Sequence, residues 1–160
     1  MPRYLFPTEL GLCAIDWADS ALTSFSLPPA IGAPFDETLP PTWLRPLIAR
    51  VQLHLAGTPQ DFSDVRFAFQ RVTEFQRRVY LQTLAIRVGL TSTYGEISSA
   101  LGLPPGASRA VAAALGANPW PLLIPCHRII GANGKMTGFS GPGGIATKIR
   151  LLTLEGTQLI

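Results

Sequence analysis

Ile124-Pro125-Cys126-His127-Arg128-Ile129-Ile130 sets a thiol beside an imidazole in an otherwise apolar stretch. Pro125 restricts the residue before it to extended geometry, and the β-branched Ile129 and Ile130 favour strand after it. Cys126 is therefore expected on a tight, stiff connection. Taken alone the pair is weak evidence, because an internal Cys is most often a small buried hydrophobe and a neighbouring His is most often unrelated to it. Its meaning depends on what flanks it.

Upstream, Asn118-Pro119-Trp120-Pro121 breaks a preceding helix. The apolar spacing predicts a short helix over Thr93 to Gly102 with Ile97 and Leu101 inward, a turn over Leu103 to Gly106, and a second helix over Ala107 to Ala117. Together these are a helix-turn-helix candidate. In the second helix Val111 and Leu115 can anchor one side, while Ala112, Ala113 and Gly116 leave another nearly bare. An α-helix is about 10 to 12 Å across and the minor groove of DNA about 6 Å wide, so a helix entering that groove needs tiny side chains and a widened groove. Close helix packing uses small residues too and is the more ordinary explanation of such a face. Still earlier, Thr73 can cap a helix that Gly89 ends. Its apolar positions lie on two lines, Phe75, Val79 and Ile86 and then Tyr80, Leu84 and Val88, so the helix should be sandwiched.

Downstream, Gly131-Ala132-Asn133-Gly134-Lys135 between Ile129-Ile130 and Met136-Thr137 predicts a hairpin through Asn-Gly. Gly138-Phe139-Ser140-Gly141-Pro142-Gly143-Gly144 lacks the phosphate-loop and dinucleotide patterns and reads as a ligand wall or a connection. Ile145 to Glu155, followed by Gly156, predicts a last helix with Ile149, Leu151 and Leu152 for the core.

The first part of the chain carries less. Leu10 to Trp17 and Ala21 to Leu27 predict two strands around Ala18-Asp19-Ser20, Pro34 to Pro41 an irregular connection, and Thr42 to Ala56 a helix through Trp43, Leu44, Leu47, Ile48, Val51 and Leu55. Gly57 to Phe69 reads as a boundary with a short strand. Cys13 is expected in the core, and His54, near the helix end, as a surface or packing residue.

Composition narrows the classes. Hydrophobic residues make up 47% of the chain, enough for a core without staples. Two dissimilar cysteines, Cys13 and Cys126, give no disulfide framework or Cys-rich zinc site. The Pro and Glu residues within Met1 to Leu10 interrupt any secretory signal, and no apolar run is long enough to span a bilayer, so a cytoplasmic protein with no membrane partner is expected, nucleoid-associated if bacterial. Net charge is +3 with only 14% charged residues. That allows an approach to nucleic acid but few phosphate contacts, so a steep salt dependence is not expected.

From about Thr73 to Gly156 the motifs, in order, resemble the O6-alkylguanine-DNA alkyltransferases, also called methylated-DNA-protein-cysteine methyltransferases. The resemblance rests on Thr73-Glu74-Phe75-Gln76 with Val79-Tyr80, Thr93-Tyr94-Gly95-Glu96-Ile97, Ser108-Arg109-Ala110-Val111, Asn118-Pro119, Pro125-Cys126-His127-Arg128, Gly131 with Asn133-Gly134, Thr137-Gly138-Phe139-Ser140-Gly141, and Lys148 through Leu152 to Glu155-Gly156. It implies an α/β (α+β) fold. Residues 1–69 would form a small ribonuclease H-like sheet-and-helix domain with linker. Residues 70–160 would form a winged helix-turn-helix-like domain with the active-site Cys. The Cys and His cluster with which some members bind a structural zinc is absent, so neither metal nor cofactor is expected.

The resemblance also implies roles. Cys126 would accept the alkyl group as a soft nucleophile, His127 would take its proton, Glu155 would fix the tautomer of His127, and Asn118 would help arrange the network. Tyr94 would support the departing guanine with a proton or hydrogen bond. Arg109 would fill the gap left by a flipped nucleotide, and with Ala110, Ala112, Ala113, Tyr94 and Arg128 would make up the DNA-binding set. Leu115, Phe139, Ser140 and Gly141 would line the substrate pocket. Two departures concern that pocket: Phe139 stands where Tyr is commoner, and the loop through Gly144 is longer than in the family.

The implied partner is double-stranded DNA containing O6-alkylguanine, touched in the minor groove by a monomer, with cooperative clustering on DNA left open. Two other classes are weighed. Alkyltransferase-like lesion binders replace the reactive Cys, which this chain keeps, and a Cys-His hydrolase would have no use for the helix-turn-helix and Arg109.

Overall fold

The computed structural model describes residues 2–30, 38–136, 139 and 143–158. Short runs of alternating apolar residues between turn formers give three strands, β1 (Arg3–Thr8), β2 (Gly11–Ala18) and β3 (Ala21–Ser26), in one antiparallel sheet of that order. The last two match the expected pair. β1 was not expected, because Pro2 and Pro7 weaken its strand pattern, yet on an edge strand a missing N–H is tolerated.

The outer edge of β3 is not left open. The Leu22 N–H donates to the Arg66 carbonyl, and the Ala68 N–H donates to the Leu22 carbonyl, both at 2.8 Å. The Phe25 N–H donates to the Pro119 carbonyl at 2.9 Å, and Trp120 Nε1 donates to the Leu22 carbonyl at 3.0 Å. Part of the expected boundary over Gly57 to Phe69 thus runs along the sheet, and the segment entering the Cys-His motif is pinned to the same strand. Covering an edge in this way also removes a site for unwanted strand pairing.

Helix α1 (Arg45–Leu55) starts three residues later than expected, with Pro46 in its first turn. Its apolar stripe, Leu47, Ile48, Val51 and Leu55, is buried as the spacing predicts. So is His54, which is only 2% exposed. Residues 31–37, which include the first half of the connection expected over Pro34 to Pro41, lie outside the described residues.

Helix α2 (Glu74–Leu84) starts at the cap that Thr73 predicts, and Gln76 completes it as a capping box. Thr73 Oγ1 accepts from the Gln76 N–H at 3.1 Å, and Gln76 Oε1 accepts from the Thr73 N–H at 2.9 Å, a pairing that stabilises such a helix by about 1 kcal/mol. Val79 and Tyr80 are fully buried. The helix ends before Gly89, leaving Ile86 and Val88 outside it. Turning out there frees the Ile86 carbonyl for another partner, described below.

Strand β4 (Ser92–Thr93) leads into α3 (Tyr94–Ala100), capped by Thr93, and a turn leads to α4 (Ser108–Gly116). β5 (Ile129–Ile130) pairs in parallel with β4, not with Met136 as the expected hairpin requires. The Asn-Gly reversal itself forms, with Asn133 at φ +63° and the Gly131 N–H donating to the Lys135 carbonyl at 2.7 Å. Thr137, the other arm of that hairpin, lies outside the described residues, as do Gly138, Ser140, Gly141 and Pro142.

The last helix, α5 (Gly144–Leu154), buries Leu151, Leu152 and Lys148, whereas Ile149, expected inward, is 39% exposed. The expected units 1–69 and 70–160 contribute to one buried apolar cluster that extends from Phe6 to Leu151.

Candidate active site

Cys126 begins a 3₁₀ turn, Cys126–Arg128, between the bent Pro125 and strand β5. The Cys126 N–H donates back to the Ile124 carbonyl at 2.8 Å, so the thiol sits on a tight connection, as the sequence predicts. Asn118 braces it from the end of α4. Its Nδ2 donates to the Ile124 carbonyl at 3.0 Å, its Oδ1 accepts from the Trp120 N–H at 2.9 Å, and its side chain favours the ionised form of the Cys126 thiol.

Cys126 is 8% exposed, and burial pushes its thiol above the usual value. Asn118, the charge of Lys148 and the Cys126 and His127 N–H groups oppose that effect without cancelling it. The resting group is therefore a thiol that needs a base. Cys13 is raised to about 12 by burial and has no such surroundings, which separates a core cysteine from a candidate nucleophile.

His127 is fully buried beside it, and burial holds its imidazole below the usual value against the opposing pull of Glu155. Its Nε2–H donates to Glu155 Oε2 at 2.8 Å. That bond leaves the lone pair on Nδ1, which has no hydrogen-bonding partner among the described residues. A buried, neutral imidazole with one nitrogen fixed and the other unpaired is an oriented base.

Glu155, the residue that caps α5, is the hub. Arg128 Nε donates to its Oε1 and Arg128 Nη2 to its Oε2, each at 2.9 Å. Arg128 Nη1 donates to the freed Ile86 carbonyl at 2.6 Å. His54 Nε2 donates to Glu155 Oε2 at 2.8 Å, and His54 Nδ1 accepts the Gln60 N–H at 2.9 Å. Burial alone would raise the Glu155 carboxyl. The donors from His127, His54 and Arg128 outweigh it and hold the group far below the usual carboxylate range.

Two expectations change here. Arg128, expected in the DNA-binding set, is buried instead of exposed: its side chain is 7% exposed and its guanidinium is spent on Glu155 and Ile86. His54 is neither a surface residue nor mere packing. No local signal identifies it, because its partner stands 101 residues later in the chain. Lys148 is a further residue whose part sequence reasoning left unstated. It is fully buried, its Nζ donates to the Ile129 carbonyl at 2.5 Å, and its charge and the Cys126 thiol influence each other.

The remaining site residues fall into two sets. Arg109, Ala110, Ala112 and Ala113 lie exposed on α4, while Val111, Ala114 and Leu115 face the core. The Tyr80 hydroxyl donates to the Ala114 carbonyl at 2.6 Å, which ties this helix to the buried centre. Tyr94, the first residue of α3, is half-buried. Phe139 is half-buried against the core, whereas Ser140 and Gly141 lie outside the described residues. Among the described residues no group of three or more His, Cys, Asp or Glu is placed to hold a metal ion, and no helix is long and apolar enough to cross a membrane.

A buried thiol beside an imidazole whose other nitrogen is committed to a carboxylate is the arrangement of proteins that use a cysteine as their nucleophile. Comparison with known proteins makes the class particular. Residues 74–157 match the family model described as 6-O-methylguanine DNA methyltransferase, DNA binding domain. The methylated-DNA-protein-cysteine methyltransferase of Methanothermobacter thermautotrophicus is 36% identical over 143 residues, 89% of this chain and 78% of that protein. That of Mycobacterium bovis is 45% identical over 111 residues, 69% of this chain and 64% of that protein. The crystal structure of Mycobacterium tuberculosis OGT in complex with DNA superposes with a TM-score of 0.81 at 35% identity, covering 98% of this chain and 93% of that one. The chain belongs to the methylated-DNA-protein-cysteine methyltransferase family.

Proposed function

We infer that the chain repairs double-stranded DNA by moving the alkyl group of O6-alkylguanine, and less readily of O4-alkylthymine, onto Cys126, once per molecule. The observation that carries this reading is the buried Cys126 thiol beside a His127 whose Nε2 is committed to Glu155 and whose Nδ1 has no partner among the described residues. Nδ1 takes the thiol proton through a bridging water, because adjacent side chains do not meet face to face. The sulfur then attacks the alkyl carbon, an S–C bond forms, and the C–O6 bond breaks with its electron pair passing to the purine. Asn118 and the N–H groups of the 3₁₀ turn stabilise the thiolate as it forms. Tyr94 donates a hydrogen bond or its proton to the purine as charge develops there, and the proton held by His127 then passes on through water, so that guanine leaves neutral and both side chains return to their starting state. The thioether is not hydrolysed, so the site closes after one event.

The same reading assigns the ribonuclease H-like plan to the sheet and α1, and the winged helix-turn-helix plan to α3, α4 and the β4–β5 pair. It presents α4 to the minor groove. A structural relative's being solved in complex with DNA supports a DNA partner. The exposed Ala110, Ala112 and Ala113 give that helix a thin outer face, and Arg109, exposed beside them, occupies the gap left by the flipped nucleotide.

Intact mass after incubation with an O6-methylguanine duplex tests the transfer. One methyl per molecule, located on Cys126 and lost in Cys126→Ser, is expected. Tight binding to the lesion without methyl gain would instead mark a non-catalytic lesion binder. For the extrusion role, Arg109→Ala is expected to slow repair of the duplex by tenfold or more, on the order of the few kcal/mol that unstacking costs. Reaction with free O6-benzylguanine should change little, and equal losses on the two substrates would remove Arg109 from extrusion.

A further inference from the structure

Glu155 Oε2 is shared. It accepts from His127, the inferred base, from Arg128 Nη2 and from His54, which reaches it from the far end of α1. His54 is 2% exposed, and its tautomer is set from behind by the Gln60 N–H on Nδ1, leaving Nε2 as the donor. Its ring lies 5.3 Å from that of Phe62, and Arg50 stacks over the other residue of that pair, Phe62, at 5.4 Å. A histidine held on both nitrogens and by an aromatic neighbour is more elaborately built than packing alone requires.

We propose that His54 is a positioning residue for alkyl transfer: from the N-terminal part of the chain it holds Glu155 Oε2 where that oxygen orients His127. The proposal rests on the reading of Cys126 and His127 as nucleophile and base. Arg128 grips the carboxylate along one edge, through Nε and Nη2. His54 approaches the oxygen that His127 uses, so it governs how much of that oxygen's charge His127 receives. The ionisable groups around the centre are few. His127 meets Glu155 from α5, Arg128 from its own turn and His54 from α1, while Lys148 from α5 acts on the neighbouring Cys126. With the His54 donor removed, the carboxylate would share less of its charge elsewhere and would draw a proton to His127 more strongly.

Two substitutions separate the nitrogens of His54. His54→Gln can keep a donor where Nε2 stands but loses the acceptor for Gln60. His54→Asn can keep that acceptor, at the place of Nδ1, but no longer reaches Glu155. Single-turnover methyl transfer from an O6-methylguanine duplex is expected to fall about tenfold in His54→Asn and to stay within about threefold in His54→Gln. The rate of Cys126 alkylation by iodoacetamide, followed against pH without DNA, is expected to show an acid limb whose midpoint rises by about half a pH unit or more in His54→Asn only. Melting temperatures of both variants show whether each is folded.

Equal rates and equal limbs in the two variants, whether both like the wild type or both impaired, would overturn the proposal, since packing alone does not distinguish the two nitrogens. The iodoacetamide profile tests His54 even if the wild type takes no methyl group from DNA, an outcome that would count against the proposed function instead.

Discussion

Replacing Glu155 with Gln is expected to lower stability by about 3–5 kcal/mol, the cost of leaving a buried charge without its partner. The isosteric change would spare the packing, but it removes the only carboxylate among the described residues that Arg128 pairs with, and the guanidinium stays buried. It also replaces one acceptor oxygen with an amide N–H₂ in a place where His54, His127 and Arg128 all present donors. For a chain of this length the loss corresponds to a melting temperature lower by roughly 6–20 °C. The resemblance to the family alone suggests a milder outcome, slowed transfer with lesion binding intact. The geometry makes Glu155 a keystone of folding as well as an orienter of the base. Denaturant unfolding of the two proteins decides the matter, and a difference under 1 kcal/mol would mean that Arg128 finds another partner.

Replacing His127 with Gln is expected to slow methyl transfer by about 10²- to 10⁴-fold, the usual contribution of a positioned base. Gln can still donate to Glu155 Oε2, so the hub keeps its donors, but no nitrogen with a lone pair remains to take the Cys126 proton. The burial that pushes the thiol up is then unopposed by any base, and single-turnover kinetics should show the loss at every accessible pH.

The same substitution has a signature in stability. Burial holds His127 below its ordinary 6.5, so the unfolded chain binds a proton there before the folded one does. The associated stability is complete above about pH 6.5 and is lost as pH falls through the lower folded value. Glu155 adds a loss of the same sign below its ordinary 4.5, because its folded value is also depressed. His127→Gln should therefore lose less stability than the wild type between pH 7 and pH 5. Parallel curves for the two proteins would show that His127 does not titrate as its burial requires.

Much of the plan was legible from local chemistry. The cap at Thr73 announces the start of α2, the spacing of Leu47, Ile48, Val51 and Leu55 announces the buried face of α1, and the alanines beside Val111 and Leu115 announce a helix with one thin side. These signals survive because each depends on neighbours within a turn or two. The tight connection at Cys126 belongs with them, since Pro125 and the two isoleucines fix it locally. β1 and the end of α2 lie beyond the reach of such local signals for a common reason. A proline in a strand is harmless only where the strand is an edge, and the Ile86 carbonyl left beyond the end of α2 finds its partner, Arg128, far along the chain.

By itself, then, the sequence determined a nucleophile on a stiff turn with an adjacent base, a helix pair with a bare face, and, through its ordered motifs, the family. Only the tertiary structure decided what surrounds the base. Arg128, one residue from His127, would pass for a surface cation until the folded chain brings Glu155 to it from 27 residues away. His54 would pass for packing until α1 brings it to the same carboxylate. Long-range polar contacts leave no periodicity in a sequence, because they are set by where whole elements pack. The shared oxygen of Glu155 is the point at which both halves of the chain meet the chemistry of Cys126.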